Sequence, residues 1–346
     1  LPWYLYVYYG DIQILNEFYQ DMKTWVQYIH DKNEDGIILH GLGDWCPPYD
    51  WDDRCPVPQS STAFHILDVK IMKEVAGILG NEKDHAYYSE ILEKLIQSFN
   101  REFLDTQNNT YGTQTGNAMA LEIGIVPEEF QEKVAASIVK YSHEKHYGFL
   151  NTGIFGIGRI FKVLCENGQE QEAYRLLTKT GEHSFAFMWE QWDATTLWET
   201  LPVSMPLNDR MRGAYYNSSH SHPMQAGYDA WFYSGIAGIN PDPAGPGFKK
   251  IVFRPYLTRQ MESAKATYHS GFGEILSSWY QQDGNLRWEI GIPANCSGEI
   301  FVPNYGEKVN VSINSKSVDV NDFSNDFTSI GVFNAGNYIV SVGPLN

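Results

Sequence analysis

Apolar residues in the first two thirds of the chain recur every three or four positions, which is the spacing of an amphipathic helix. The pattern is clear at 11–31, 62–79 and 84–103. Weaker versions occur at 116–124, 127–141, 151–164, 169–178, 193–199 and 224–237. This pattern predicts a row of antiparallel helices joined by loops of varied length.

After about residue 247 the period changes to that of β-strands. Short segments rich in β-branched and aromatic residues alternate with Gly, Pro, Asn and Asp, as in FKKIVFRP, GEILSSWYQQ, LRWEIGIP, SGEIFVP and NYIVSVG. This spacing is typical of an antiparallel sandwich. Asp283-Gly284 and the triplet at 334–336 are predicted hairpin turns. The irregular stretch NPDPAGPGF at 240–248 separates a predicted helical domain, 1–240, from a predicted β-sandwich, 247–346.

Composition narrows the class of function. The 346 residues include 25 Lys and Arg against 42 Asp and Glu, a net charge of −17, which argues against binding nucleic acid or an anionic membrane. No apolar run approaches the ~20 residues that span a bilayer. The 10 Trp, 22 Tyr and 18 Phe suggest a carbohydrate-active enzyme, because flat rings stack on sugars while carboxylates bind hydroxyl groups.

The first of three polar, aromatic clusters is HGLGDWCPPYDWDD at 40–53. In a binding wall, Asp44 would bond sugar hydroxyls while Trp45 offers a stacking face. The alternative is a loop that packs its aromatic residues back onto its own domain. Cys46 and Cys55 bracket part of this loop and can form a disulfide in an oxidising compartment. None of the four cysteines belongs to a CxxC pair, so a structural zinc site is not predicted.

The second cluster, at 183–200, combines Trp189, Trp192 and Trp198 with Glu190, Asp193 and Glu199. A carboxylate among bulky aromatic residues loses solvation, which raises its pKa toward values useful in proton transfer. Glu190 and Glu199 are therefore candidate catalysts. The alternative for each is a structural role as a helix cap or in an ion pair.

The third cluster, at 215–239, contains a polar loop with His220 and His222 just before a helix predicted to begin near Pro223. A loop in that position can orient a ligand. Because no third ligand follows at a regular spacing, no metal is predicted, and hydrogen bonding within the loop remains the alternative. Asp229 is expected to be a helix residue rather than a catalyst.

These segments resemble the bacterial α-L-rhamnosidases of glycoside hydrolase family 78. GDWCPP resembles the family's GDW-x-P loop, while TTLWE and SHSHPM resemble its signature segments. The start, PWYLYVYYGDIQILNEFYQDMKTWVQYI, is similar to an inner helix pair of its barrel. AGINPDPAGPGFKKIVFRP is similar to the crossing into its C-terminal β domain and is the most specific match.

The resemblance implies an (α/α)6 barrel that hydrolyses terminal α-L-rhamnosyl residues with inversion and without a cofactor. In that scheme one carboxylic acid protonates the leaving oxygen, and a carboxylate roughly 6.5–9.5 Å away activates water. Glu199 matches the family's general base, and Glu190 belongs to the same pattern. Trp45 of the GDW loop matches a tryptophan that packs on the sugar, and His222 matches a histidine that lines the pocket. Further substrate contacts are expected from Asp44, Trp198 and His220.

The resemblance also implies that the family's general acid lies in a segment upstream of this chain. The chain is therefore expected to be the C-terminal portion of a rhamnosidase, with a barrel lacking its first helices, acting on a rhamnose-containing glycoside or polysaccharide. Two alternatives remain open. One is another helical-barrel hydrolase or lyase acting on an acidic polysaccharide. It is disfavoured because uronate substrates need Arg or Lys, and few basic residues lie near the clusters. The other is a sugar-binding protein without turnover.

Overall fold

The computed structural model describes residues 1–33, 35–201, 218–320 and 326–344. Contacts divide the chain into two compact units. The helical unit is Gln20–Asp229, and the β-rich unit combines Leu1–Tyr19 with Ala230–Asn346. The sequence pattern instead predicts residues 1–19 as part of the helical domain. The domain boundary that it predicts at 240–247 stays a prediction.

Seven of the nine segments that the apolar periodicity predicts as helices contain α-helices, whereas the periodicity does not predict α1 or α9. In the described residues the α-helices are α1 Pro2–Tyr9, α2 Ile12–Asp31, α3 Val57–Ile78, α4 Glu82–Phe103, α5 Gln114–Ile123, α6 Gln131–Lys145, α7 Ile157–Glu166, α8 Glu170–Leu177 and α9 Phe185–Trp192. A 3-10 helix, Glu128–Phe130, precedes α6. The helix predicted at 224–237 is instead a 3-10 helix, Pro223–Tyr228, followed by the short α turn Asp229–Trp231 and a π turn, Phe232–Ile236.

The helix predicted at 193–199 is wrong, because α9 ends just before it. Ser184 caps α9 at its start by accepting a hydrogen bond from the Phe187 amide at 3.1 Å. Asp193 then adopts a left-handed conformation, with φ 48° and ψ 34°, which stops the helix. The following residues up to 201 are irregular, so Glu199 lies on a loop segment rather than on a helix.

Close backbone approach ties α7 to the 3-10 helix Pro223–Tyr228. A Cβ built on Gly227 would lie 2.9 Å from the Cα atom of Gly158, a distance that real Cβ atoms essentially never show. Phe161 of α7 also packs edge-on against Tyr228, with ring centroids 5.9 Å apart. The helical core thereby positions the segment that follows the polar loop 218–222.

The β-rich unit contains one hydrogen-bonded sheet. Its strands are β1 Ile239–Pro241, β2 Lys250–Phe253, β3 Ser263–Ser270, β4 Gly273–Gln282, β5 Asn285–Pro303, β6 Asn310–Ile313, β7 Lys316–Val318 and β8 Phe327–Gly343. The order is β1-β2-β5-β8-β6-β7, with β4 pairing both β3 and β5. The pairs are antiparallel, as predicted, except that β2 and β5 run parallel. Trp279 and Trp288 are the largest side chains in its core.

Only one of the two predicted hairpin turns is present. Asp283 and Gly284, with φ values of 51° and 73°, form the β4–β5 turn as predicted. The triplet at 334–336 lies inside β8 instead, where Gly336 pairs with Ile292 at a register shift. The segments predicted as separate strands at 286–293 and 297–303 are likewise one long strand, because a bulge rather than a chain reversal interrupts them.

The N-terminal helix belongs to the β-rich unit through backbone contact. The carbonyl of Val7 accepts a hydrogen bond from the amide of Gly247 at 2.9 Å. The ring of Tyr8 meets Phe248 edge-on, with centroids 5.9 Å apart. These contacts join α1 to the segment between β1 and β2, a pairing that helical periodicity alone does not predict.

A buried histidine on α3 makes the helical unit sensitive to acid. His65 is 3% exposed and stacks on His30 of α2, with ring centroids 6.1 Å apart. Neither ring nitrogen of His65 finds a hydrogen-bond partner among the described residues. Burial, with a smaller contribution from His30, lowers the pKa of His65 from 6.5 to about 4. The folded protein therefore disfavours protonation of this ring.

Because the folded pKa of His65 lies below the unfolded value, its contribution to stability is present above about pH 6.5 and lost as the pH falls toward 4. We expect His65→Leu to remove about 3 kcal/mol of the loss in unfolding free energy between pH 7 and 4. Urea unfolding at a series of pH values measures this. His269→Leu, at an exposed histidine on β3, is the control, and an unchanged pH slope in His65→Leu would contradict the account.

Candidate active site

Glu199 is the residue at which the three sequence clusters meet. Its Oε1 accepts a hydrogen bond from the indole Nε1 of Trp45 at 3.0 Å. Its Oε2 accepts one from the backbone amide of Ser219 at 2.9 Å. The side chain is 20% exposed, so it is held on both oxygens and still reachable from solvent. A carboxylate bound this way is well oriented for proton transfer.

The backbone around Glu199 is hydrogen-bonded to the polar loop of the third cluster. The Glu199 amide donates to the Ser219 carbonyl at 2.8 Å, and the His222 amide donates to the Leu197 carbonyl at 2.8 Å. The side-chain amide of Gln225, buried in the 3-10 helix, donates to the Glu199 carbonyl at 2.8 Å. These three bonds fix the backbone from which the Glu199 side chain extends.

His222 stands beside the same carboxylate. Its Nε2 lies 3.9 Å from Glu199 Oε1, the oxygen that also receives the Trp45 bond. His222 occupies the position just before the 3-10 helix that begins at Pro223. The ring is therefore placed next to Glu199 by a well-defined backbone junction.

Trp198 and His220 form a stacked pair next to Glu199. Their rings are nearly parallel, with an interplanar angle of 6° and centroids 3.9 Å apart. Trp198 is buried and meets Trp192 at 6.3 Å, whereas His220 is exposed. The carbonyl of His220 accepts a hydrogen bond from the Thr196 hydroxyl. One face of Trp198 is thus covered by a protein ring, and the substrate contacts expected of this pair stay predictions.

Trp45 presents an accessible aromatic surface. The residue is 45% exposed, and its ring is steadied by the bond to Glu199 and by an edge-to-face contact with Trp51 at 4.9 Å. Its carbonyl accepts a hydrogen bond from the Ile154 amide at 2.9 Å. An indole held at its edge and open on its surface can stack against an apolar ring face.

Asp44, the neighbour of Trp45, lies behind the site. It is 1% exposed, and its oxygens accept from the Thr115 hydroxyl at 2.8 Å and from the amides of Phe155 and Gly153 at 3.1 Å and 3.2 Å. Burial raises the pKa of the Asp44 carboxyl, while these hydrogen bonds oppose the rise. Both oxygens are engaged by protein donors, so the geometry supports a positioning role rather than the expected contact with sugar hydroxyls.

A glycine makes this anchor possible. A Cβ on Gly153 would overlap both the Asp44 carboxylate and the Trp45 carbonyl. Position 153 must therefore lack a side chain for the chain at 153–155 to approach the loop. Sequence reasoning did not single out Gly153 or Thr115, because nothing local marks them as partners of residues far away in the chain.

The segment at 49–50 of the first cluster is bonded to its own unit, as the alternative interpretation of this loop predicted. The amides of Tyr49 and Asp50 both donate to Asn151 Oδ1, at 2.9 Å and 2.8 Å. The Tyr49 ring contacts His146 and His183 with centroids 5.7 Å and 5.0 Å away. This loop is thus part scaffold and, at Trp45, part open surface.

Glu190 is not brought to this cluster by any described contact. It is exposed on α9, and within the described ranges we find no hydrogen bond or ion pair linking it to Glu199. Asp229 lies in the short α turn, as expected. The polar loop of the third cluster is described from residue 218 onward, so residues 202–217 lie outside the described part of the chain.

Cys46 and Cys55 are free thiols rather than a disulfide. The Cys46 sulfur accepts from the Thr200 hydroxyl at 3.7 Å, and the Cys55 thiol donates to Gln59 Oε1 at 3.3 Å. Burial, assisted by the nearby Glu199 carboxylate, raises the pKa of Cys46 to about 12. Burial also raises the pKa of Cys55. Both thiols are therefore neutral at physiological pH.

No group of three or more His, Cys, Asp or Glu is arranged to hold a metal ion in the part of the chain that the structure describes. Within the same residues, none of the helices combines the length and apolarity required to cross a membrane.

The helical unit holds a carboxylate between a tryptophan and a histidine, and a β-rich unit makes up the rest of the chain. Residues 1–236 match the bacterial alpha-L-rhamnosidase 6 hairpin glycosidase domain, and residues 238–316 match the bacterial alpha-L-rhamnosidase C-terminal domain. The chain belongs to this bacterial alpha-L-rhamnosidase family.

Several curated relatives are named alpha-L-rhamnosidase. An alpha-L-rhamnosidase of Formosa agariphila is 32% identical over 92% of this chain, and one of an Alteromonas species is 30% identical over 92%. These alignments cover 34% and 35% of the relatives. The chain thus spans about a third of the length of the curated relatives it matches.

Solved structures show the same fold. The alpha-L-rhamnosidase from Dictyoglumus thermophilum superposes with a TM-score of 0.84 at 29% identity, covering 99% of this chain and 38% of that one. A Streptomyces avermitilis alpha-L-rhamnosidase complexed with L-rhamnose superposes at 0.83 with 24% identity, covering 99% and 32%. The six-hairpin architecture predicted by resemblance is confirmed.

The buried, neutral thiols lead to a prediction about chemical reactivity. Because the thiolate is the nucleophile and burial raises the pKa of Cys46 to about 12, we expect iodoacetamide at pH 8 to leave Cys46 and Cys55 unmodified in the folded protein. Both should react quickly once urea unfolds the chain, which serves as the matched control. Peptide mass analysis measures the labelling, and rapid modification of Cys46 in the folded state would contradict the placement.

Proposed function

We propose that the protein carrying this chain hydrolyses terminal α-L-rhamnosyl residues with inversion, using Glu199 as the general base. The observation that carries the proposal is the double anchoring of the Glu199 carboxylate by Trp45 and Ser219 at a solvent-reachable position. The names of the relatives support the substrate class.

The anchoring suits a base. Two N–H donors orient the carboxylate, and each oxygen keeps a further lone pair for a water molecule. In the inverting scheme Glu199 takes a proton from a water molecule while the oxygen of that water forms a bond to the anomeric carbon. The bond to the leaving oxygen breaks on the opposite side, where a second carboxyl group supplies a proton. We assign that acid to no described residue of this chain.

The surroundings of Glu199 suit a sugar that is partly apolar. Rhamnose carries a methyl group in place of a hydroxymethyl, so one side of the ring is well matched to the open indole of Trp45. His222, 3.9 Å from the same carboxylate oxygen, is placed to bond a ring hydroxyl. The L-rhamnose complex of the Streptomyces relative is consistent with such a pocket.

A second candidate is rhamnose binding without turnover. The open indole of Trp45 beside the Glu199 carboxylate offers a sugar the same contacts in a binding site as in a catalytic one. Glu190 is the other acid suggested by sequence. Assays of hydrolysis and of sugar binding must therefore be made together.

Glu199→Gln keeps the shape of the side chain and removes the base. We expect hydrolysis of an aryl α-L-rhamnoside to fall by about 10²–10⁴, while calorimetry still detects L-rhamnose binding. Glu129→Gln, at an exposed glutamate beside α6, is the control and should retain activity. NMR of the first sugar product should show the β-anomer.

Three outcomes separate the candidates. Undiminished hydrolysis in Glu199→Gln would falsify the assignment of the base. Loss of hydrolysis in Glu190→Gln instead would transfer the role to that residue. Binding of L-rhamnose by the unsubstituted protein, with no hydrolysis of any rhamnoside, would favour the sugar-binding alternative.

Trp45→Phe separates the two roles of the indole. Phenylalanine keeps an aromatic surface but lacks the donor to Glu199 Oε1, so we expect kcat to fall about tenfold with KM little changed. Trp45→Ala should also raise KM. Trp25→Phe is a matched control, because Trp25 likewise donates to a carboxylate, that of Asp68, at 3.2 Å. Equal kinetics in Trp45→Phe and the unsubstituted protein would contradict the positioning role.

A further inference from the structure

A straight row of polar residues crosses five strands of the β-rich unit. Tyr280 of β4 pairs with Arg287 of β5, and Arg287 pairs with Ser341 of β8. Ser341 pairs with Ser312 of β6, which pairs with Ser317 of β7. Cross-strand partners share a face of the sheet, so these five side chains form one line, here called the transverse row.

The transverse row lies on the face opposite the core. One position along, Leu286, Val342 and Val311 pair with one another and are all buried. Because successive side chains on a strand point to opposite faces, the transverse row points away from this core. The register therefore places polar side chains on the open face.

Two adjoining cavities run along the transverse row. The larger, about 830 Å³, is lined by the whole row and by Gln282, Asn285 and Asn310, among others. The smaller, about 210 Å³, includes Ser263, Lys265, Ser278 and Glu289 in its lining. Tyr280 and Arg287 line both cavities, which therefore adjoin at these two side chains and are together called the groove. The larger volume lies within the roughly 300–1,000 Å³ of ligand sites.

The groove offers free hydrogen-bonding groups and one aromatic surface. Tyr280 is 50% exposed. The hydroxyls of Ser312, Ser317 and Ser341 make no hydrogen bond to another described residue. Hydroxyls donate and accept, so they can pair with either end of another hydroxyl group.

The charges of the groove are balanced. Arg287 and Lys265 are matched by Asp283 and Glu289, and Arg287 lies 3.8 Å from Glu289. A neutral lining disfavours a polyanion such as nucleic acid or polyuronate.

We propose that this groove binds a neutral polysaccharide, namely the polysaccharide to which the rhamnosyl groups are attached. The proposal rests on the proposed function for the identity of the ligand. Tyr280 stacks on one sugar ring while the serine and amide side chains bond hydroxyls of its neighbours. Five strands spaced about 4.8 Å apart make the transverse row about 19 Å long, which accommodates several sugar rings in sequence.

Affinity electrophoresis of the full chain in gels containing a neutral rhamnan tests the groove. We expect the unsubstituted protein to be retarded and Tyr280→Ala to bind about tenfold more weakly. Phe272→Ala is the matched control, because Phe272 is an exposed aromatic at the β3–β4 turn outside the groove lining. Ser341→Gln, which lengthens a side chain on the groove floor, should also weaken retardation. Urea unfolding checks that each variant is folded.

The outcome is separable from that of the catalytic proposal. Glu199→Gln should leave retardation unchanged, because Glu199 belongs to the helical unit and does not line the groove. Retardation that depends on Tyr280 supports the groove even if no rhamnoside is hydrolysed. The proposal is overturned if the rhamnan retards no protein, if Tyr280→Ala is retarded as strongly as the unsubstituted chain, or if polygalacturonate retards the chain more strongly.

Discussion

The hydrogen bonds that hold the Glu199 carboxylate are the constraint on which the site depends. They come from an indole 154 residues earlier and a backbone amide 20 residues later in the chain. A glutamate side chain has several rotatable bonds, and fixing it costs conformational entropy. Because each oxygen is held by a different segment, loss of either segment's position would release the side chain. The GDW loop and the loop at 218–222 therefore matter through their geometry as much as through their chemistry.

The position of Trp45 depends in turn on a buried carboxylate. Burying Asp44 is unfavourable, and the raised pKa of its carboxyl expresses that cost. The hydrogen bonds from Thr115 and the 153–155 segment offset it, since an ionised acceptor makes strong bonds to N–H and O–H groups. The GDW loop is thus attached through its middle residue, which leaves the next residue, Trp45, free to face outward. The cysteine that follows is buried again.

The sequence predicted most of the fold because long amphipathic segments and alternating strands carry their own period. It predicted Glu199, Trp45 and His222 as site candidates from residue type and resemblance, and the described contacts bring these three together. It missed Ser219 and Gln225, which act through a backbone amide and a bond to a carbonyl that no side-chain pattern reveals. The hairpin turn predicted at 334–336 is wrong, because glycine occurs in a β-bulge as readily as in a turn.

The absence of the predicted helix at 193–199 leaves a backbone group available to the neighbouring loop. In a helix the Glu199 amide would bond the carbonyl four residues earlier. Here that amide donates to the Ser219 carbonyl instead. Asp193 in its left-handed conformation ends α9 before Glu199 and so leaves its amide available. Local helical preference and the placement of the carboxylate are thus in competition, and the bonds to the loop at 218–222 decide it.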